Sequence, residues 1–225
     1  MRIGVIAALD QEARAFSGCA PRFLGIHEPI LKLAGPGIEN ATRAAEELLG
    51  AGCEALLSWG LAGGLNPAMD PVQLLIGSAT VSDRGERRAT DNGLRRELLI
   101  RLAPLAAATG AFYTAPRAIA SVRDKADLYA THVADAVDME SAAIARVANS
   151  ANAKFAAIRC IVDPAGFTLP AAAEKALDAN GRRRLTAVVC HLMSDPGEIF
   201  PLLKLAAWYR AALTRLTEAA RALGQ

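Results

Sequence analysis

Aromatic residues are scarce in this chain, at 5% of 225 residues, and its charges nearly cancel, leaving a formal net of +2. A balance so close to neutral carries no electrostatic footprint for a nucleic acid, so no nucleic-acid partner is expected. No run of about 18 strongly apolar residues occurs, which argues against a transmembrane helix. Residues 1–9 hold one arginine and a short apolar run, and Asp10 and Glu12 follow at once. That pattern reads as a first buried strand rather than a signal peptide. The four cysteines (Cys19, Cys53, Cys160 and Cys190) form no CxxC pair, and no histidine lies near one at zinc-finger spacing. Cys190 and His191 are adjacent, a poor geometry for two ligands of one metal. No metal is expected, and the thiols read as buried or half-buried in a reducing cytosol.

Several sites that carry known chemistry are also missing. Gly35-Pro36-Gly37 precedes a helical pattern, but the third glycine of GxGxxG is absent, and the next strand ends at Leu57-Ser58 without an acid to hold a ribose. The dinucleotide fingerprint therefore fails twice. There is no Gly-Lys-Ser/Thr of a P-loop, no GxSxG elbow and no HExxH. No cofactor is expected.

What is present is apolar content, at 52%. A chain of this length buries roughly 70% of the surface its unfolded form exposes, and disorder is excluded as a general description. Short apolar runs alternate with alanine-rich periodic segments. Strands are predicted over 3–9, 29–34, 55–59, 74–81, 111–114, 118–120, 134–137 and 155–162. Helices are predicted over 11–17, 38–49, 93–107, 124–131, 141–149, 181–193 and 198–223. The alternation argues for one α/β domain over 1–225, with a mixed, largely parallel central sheet in a three-layer α/β/α sandwich. In the last helix, Phe200, Leu203, Ala206, Ala207, Arg210, Leu213 and Leu216 approximate a helical stripe beside Arg210, Arg215 and Arg221. Packing on the sheet accounts for it, and an amphipathic contact with a membrane surface is the sharper alternative.

Sites in open α/β sheets form beyond the carboxyl ends of strands. Four such ends carry unusual residues: Asp10 and Glu12; Gly60, Ala62, Gly63 and Gly64; Asp138, Met139 and Glu140; and Arg159 with Asp163. Each has an ordinary explanation. Glu12 and Glu140 suit helix N-termini, Asp163-Pro164 suits a strand-to-turn step, and the glycines suit a tight turn. The same glycines would also let a ligand approach backbone amides that cradle an oxygen. Arg159, inside an otherwise apolar strand, needs a carboxylate partner.

Four segments occur in order: residues 3–12, Gly60-Leu61-Ala62-Gly63-Gly64, Val137-Asp138-Met139-Glu140-Ser141 and residues 158–163. Together, across about residues 1–194, they resemble the purine nucleoside phosphorylase and nucleosidase superfamily, on its methylthioadenosine/adenosylhomocysteine nucleosidase side. Residues 163–170 and the helix after Pro196-Gly197 further resemble the hopanoid-associated phosphorylase group, to which removal of adenine from adenosylhopane is assigned. The resemblance implies cleavage of a purine N-glycosidic bond through an oxocarbenium-like ribose. It makes Asp163 the acid toward purine N7, helped by an apolar pocket that raises its pKa. Glu140 would bind ribose hydroxyls, Met139 would pack under the sugar, and Gly60, Leu61, Ala62 and Gly63 would line the substrate. Glu12 would take a proton from attacking water, Arg159 would orient Glu12 or that water, and Phe167 would stack on the base.

Phosphate users in this superfamily place an arginine two residues before the first glycine of the second motif and a serine or threonine just after it. Here those positions are Ser58 and Leu61. Hydrolysis is therefore expected over phosphorolysis. Arg43, Arg84, Arg87, Arg88 or an arginine of a second subunit are the residues that would restore a phosphate site. A catalytically silent nucleoside- or lipid-binding protein is a third reading. The resemblance also implies a homodimer, a small-molecule nucleoside as partner with a lipid-linked one as an alternative, and a cytoplasmic location with the inner membrane surface as an alternative.

Overall fold

A computed structural model describes residues 1–17, 22–24, 26–27, 29–174 and 194–224. The strands are β1 (Ile3–Ala7), β2 (Arg22–Phe23), β3 (Ile26–His27), β4 (Ile30–Leu33), β5 (Ala55–Gly64), β6 (Leu74–Val81), β7 (Arg87–Ala89), β8 (Ala108–Thr114), β9 (Ala136–Asp138) and β10 (Lys154–Asp163). The helices are α1 (Asp10–Ser17), α2 (Ile38–Gly50), α3 (Asn92–Leu102), α4 (Val122–His132), α5 (Ser141–Ser150), α6 (Ala171–Glu174) and α7 (Ile199–Leu223). Cys19, Cys190, His191 and the helix expected over 181–193 lie outside the described residues. Cys53 and Cys160 are buried free thiols, and burial pushes the Cys160 thiol up to about 12.

Eight strands form the central sheet in the order β10-β6-β8-β9-β5-β1-β4, with β7 on β6. β10 also pairs with β5, so β5, β9, β8, β6 and β10 close into a ring. Pairings β1–β4, β1–β5, β5–β10, β6–β8 and β8–β9 are parallel, while β6–β10, β5–β9 and β6–β7 are antiparallel. Near-continuous apolar runs in β1, β5, β6 and β10 are what a sheet covered on both faces requires. On one side α2 and α5 bury Ala41, Ala44, Ala45, Leu48, Ile144 and Ala148 against it. On the other, α1, α3 and α7 bury Phe16, Leu98, Leu102, Leu216 and Leu223. This is the expected α/β class with helices on both faces.

Three expectations are corrected. Residues 60–64 are not a turn: β5 runs through them, because Gly63 and Gly64 pair with Val137 and Ala136 of β9 and residues 60–63 pair with β10. Residues 118–120 are not a strand; they follow Pro116 as a loop, and the amide of Leu169 donates to the carbonyl of Ala120. The buried face of α7 is rotated from the predicted stripe. Ala212, Leu216, Ala219, Ala220 and Leu223 are buried, whereas Phe200 is 82% and Leu203 59% exposed. The stripe follows the helix where it packs on α1 and β10, toward its carboxyl end.

Leu216 is fully buried between these layers. Leu216→Ala removes its contacts and leaves a cavity, so a loss of about 2–5 kcal/mol is expected in urea unfolding.

Candidate active site

Glu12 is placed by Trp59. The indole, fully buried in β5, donates from Nε1 to the carbonyl of Glu12 at 3.2 Å, and its ring meets Phe16 edge-on at 5.3 Å. Helix α1 is thereby pinned over the strand. The Glu12 carboxylate accepts from the amides of Ala8 (3.1 Å), Leu9 (2.9 Å) and Leu61 (2.8 Å). The first two are orphan donors at the start of α1, so the capping explanation holds in part. The third comes from the glycine-rich stretch, whose expected oxygen cradle is here filled by Glu12 itself. A Cβ at Gly60 would overlap Oε1 of Glu12 and stand 2.9 Å from Nη1 of Arg159, so only glycine lets these groups converge.

Arg159 is 2% exposed, and its bonds run elsewhere than expected. Nε donates to Asp138 at 2.9 Å, and Nη2 donates to Ser58 (2.8 Å), Ser141 (3.2 Å) and Glu140 (3.4 Å). Glu12 feels it through charge. Asp138 was singled out by position only, yet it is the principal counterion. Its Oδ1 accepts from Thr114 Oγ1 at 2.8 Å and from the amides of Glu140 and Ser141 at 3.2 Å, which caps α5. Glu140 in turn accepts from the amide of Gly37 at 3.0 Å. The Gly35-Pro36-Gly37 turn, with φ of +85° and +96° at its glycines, thus presents an amide to Glu140.

Asp163 stands at the end of β10, past a register shift after Ile161. Its Oδ2 accepts from Lys125 Nζ at 2.5 Å. Lys125 is fully buried on α4 and was not anticipated, since a lone lysine in a polar helical stretch looks like any solvated one.

Glu12, Glu140 and Asp163 line one cavity of about 250 Å³ with Leu61, Ala62, Gly63, Met139, Pro36, Ile119, Leu169, Arg117 and Tyr209. Gly60 lies beneath it, against Glu12. Phe167 is not among the lining residues; its ring packs edge-on against Trp208 at 5.1 Å, as a loop anchor would. Arg84 and Arg88 line a separate cavity of about 410 Å³ with Arg146. Arg87 donates to the carbonyl of His132, and Arg43 to Asn40. Asp10 pairs on the surface with Arg14 at 2.7 Å. Arg117, Tyr209 and Leu169 also reach the cavity, although none of them was singled out as a site residue from the sequence.

Burial raises all three carboxyl pKa values. For Glu12 the rise comes from desolvation, opposed by Arg159 and the three amides. Desolvation pushes Glu140 up to about 7 despite Arg159, with Asp138 adding to the rise. Desolvation pushes Asp163 up to about 6, with Lys125 opposing it. Glu140 and Asp163 are therefore able to hold or release a proton near neutrality, which is what acid–base chemistry requires, and burial makes Glu12 hold a proton more tightly than a free carboxyl does.

A closed α/β sheet thus carries three buried carboxyls around one largely apolar hollow, an arrangement suited to acid–base chemistry on a small molecule. The family model for the phosphorylase superfamily matches residues 2–194, and the chain belongs to that superfamily. No curated protein matches it. Among solved structures, futalosine hydrolase of Helicobacter pylori superposes with a TM-score of 0.74 at 15% identity, over 99% of this chain and 97% of that one. The 5′-methylthioadenosine/S-adenosylhomocysteine nucleosidase of Campylobacter jejuni gives 0.68 at 18%, over 97% and 99%. That of Neisseria meningitidis, in complex with methylthio-immucillin-A, gives 0.68 at 21%, over 97% and 98%. These likenesses establish the fold.

Removing the carboxylate of Asp138 strands a buried guanidinium. Asp138→Ala is expected to cost about 3–5 kcal/mol in urea unfolding, far more than loss of the exposed Asp10–Arg14 pair.

Proposed function

We propose that the protein is a purine nucleosidase that cleaves the N-glycosidic bond of a 5′-substituted adenosine with water and releases adenine. The observation that carries this reading is the convergence of Glu12, Glu140 and Asp163, from three distant parts of the chain, on one cavity. Superfamily membership and structural likeness to purine nucleosidases support it.

In this reading Asp163 gives its proton to N7 of the departing purine, so the base leaves neutral. Glu140 accepts hydrogen bonds from the ribose hydroxyls and offsets the positive charge that develops on the sugar. Met139 packs under the ring. Glu12 accepts a proton from water as its oxygen bonds to the anomeric carbon. Arg159 acts through Glu140 and Asp138 and holds Glu140 toward the sugar. Phe167 packs on Trp208 and anchors the loop after Asp163 rather than stacking on the base.

Hydrolysis is favoured over phosphorolysis by charge. The position where phosphate users carry arginine holds Ser58, fully buried and bonded to Arg159. The amide of Leu61 is given to Glu12, whose carboxylate would repel phosphate.

The 5′ substituent is read as apolar, because Leu9, Pro36, Ile119 and Leu169 contribute to the wall. Adenosylhopane is the substrate we favour within this class, on the resemblance carried by residues 163–170. Ile199, Phe200 and Leu203, exposed on the helix that brings Tyr209 to the cavity, support contact with the membrane that would hold such a lipid.

Adenine release from 5′-substituted adenosines, followed by chromatography with and without phosphate, tests the reading. Release independent of phosphate, yielding the free sugar, is expected. Phosphate-dependent release with a sugar 1-phosphate would establish phosphorolysis instead, and binding without release would overturn catalysis altogether. Asp163→Asn and Glu12→Gln are each expected to lower kcat by roughly 10²–10⁴. Asp163 works protonated, so kcat/KM is expected to fall as pH rises through about 6.

A further inference from the structure

Lys125 is a fully buried lysine in a chain whose proposed chemistry does not yet use it. Lysine is almost never fully buried unless its charge is paired and its donors are satisfied. Here all three ammonium donors have acceptors: Asp163 Oδ2 at 2.5 Å, the carbonyl of Phe167 at 2.8 Å and the carbonyl of Pro164 at 3.1 Å. Two belong to the turn that follows Asp163, in which the amide of Phe167 also donates to the carbonyl of Pro164. The lysine therefore ties α4 both to the acid and to the loop beyond it. Ser121 caps that helix by accepting from the amide of Asp124 at 3.0 Å, one residue before Lys125.

We propose that Lys125 is a positioning residue for the acid: it claims Oδ2 of Asp163, leaves Oδ1 to meet the purine, and holds the 163–167 turn in place. This rests on Asp163 being the acid of the proposed function. A fixed cation also sets how tightly that acid keeps its proton, since it favours the carboxylate while burial opposes it. Among the described residues, the other charged or titratable groups on the cavity are Glu12 from α1, Asp138 at the end of β9, Glu140 at the start of α5, Arg117 after β8 and Tyr209 from α7. None of these is bonded to Asp163 among the described residues, whereas Lys125 is.

Lys125→Gln keeps two donors and removes the charge; Lys125→Met keeps the straight stem and removes both. The test is the pH dependence of kcat/KM for adenine release, together with direct titration of the Asp163 carboxyl by carbon NMR, assigned by its loss in Asp163→Asn. In Lys125→Gln the Asp163 midpoint and the basic limb of the rate profile are expected to rise together by one pH unit or more, with kcat lowered at least tenfold. Lys125→Met is expected to do the same with a larger loss of kcat, and it decides the matter if the glutamine variant does not fold. A carboxyl midpoint and limb that stay in place in a folded variant, whatever the fall in rate, would overturn the positioning role and leave Asp163 as the acid. Near-normal release by Asp163→Asn would instead remove the functional reading, and this proposal with it.

Discussion

A guanidinium that cannot lose its proton lies sealed inside the molecule, and most of the candidate site's geometry follows from satisfying it. Arg159 sits in β10 at 2% exposure, where an unpaired charge would cost several kcal/mol. The fold answers with Asp138 from the end of β9, Ser58 from β5, and Ser141 and Glu140 from the start of α5. Each partner has a second bond. Asp138 caps α5 and accepts from Thr114, and Glu140 accepts from Gly37 where α2 begins. One buried cation thus fixes two helix starts and three strands relative to each other.

The same cluster holds more acid than base. Glu12, Asp138 and Glu140 stand near a single arginine, and solvent screens none of them well. Such a group cannot keep every carboxyl ionised at modest cost, so some of its members bind protons more tightly than free carboxylates do. That is the direction seen for Glu12 and Glu140. Proton retention comes first from burial, with the Asp138 charge adding to it at Glu140, and the carboxyls that stay ionised leave negative potential in the same hollow. Both suit a reaction in which a sugar carbon becomes electron-poor while a basic heterocycle departs.

How much of this was readable beforehand follows from how each residue is held. Glu12, Glu140 and Asp163 were visible because strand ends are punctuated by charge, and a carboxylate after an apolar run stands out. Arg159 was visible for the same reason, as a charge within a buried strand. Its partners were harder to infer. Asp138 lies in the same short segment as Glu140, and only the β9–β5 pairing decides which acid faces β10. The glycine run looked like a turn because glycine favours turns; the strand continues because close neighbours, not backbone freedom, demand the absence of a side chain. Gly60 has Glu12 and Arg159 where a Cβ would be, and Gly63 has Asp163 and Val137 within 3.3 Å of that point. Lys125 carried no signal at all. It is one of several charges along α4, and its burial depends on where the 163–167 turn folds back, a contact 38 residues distant from it in sequence.

The choice between water and phosphate as nucleophile turns on the same economy of donors. A phosphate site needs cations and free amides directed at one point. In this chain Arg159 donates to Asp138, Ser58, Ser141 and Glu140, and the amide of Leu61 is bonded to Glu12. A dianion placed there would displace a carboxylate already held by three amides and would face Glu140 as well. Among the described residues, Arg117 alone brings positive charge to the cavity wall, from an exposed loop where water screens it. Water carries no charge into this field, has Glu12 as its base in the proposed reaction, and leaves the buried network intact. Within one donor set, then, the interactions that stabilise the arginine also disfavour an anionic nucleophile.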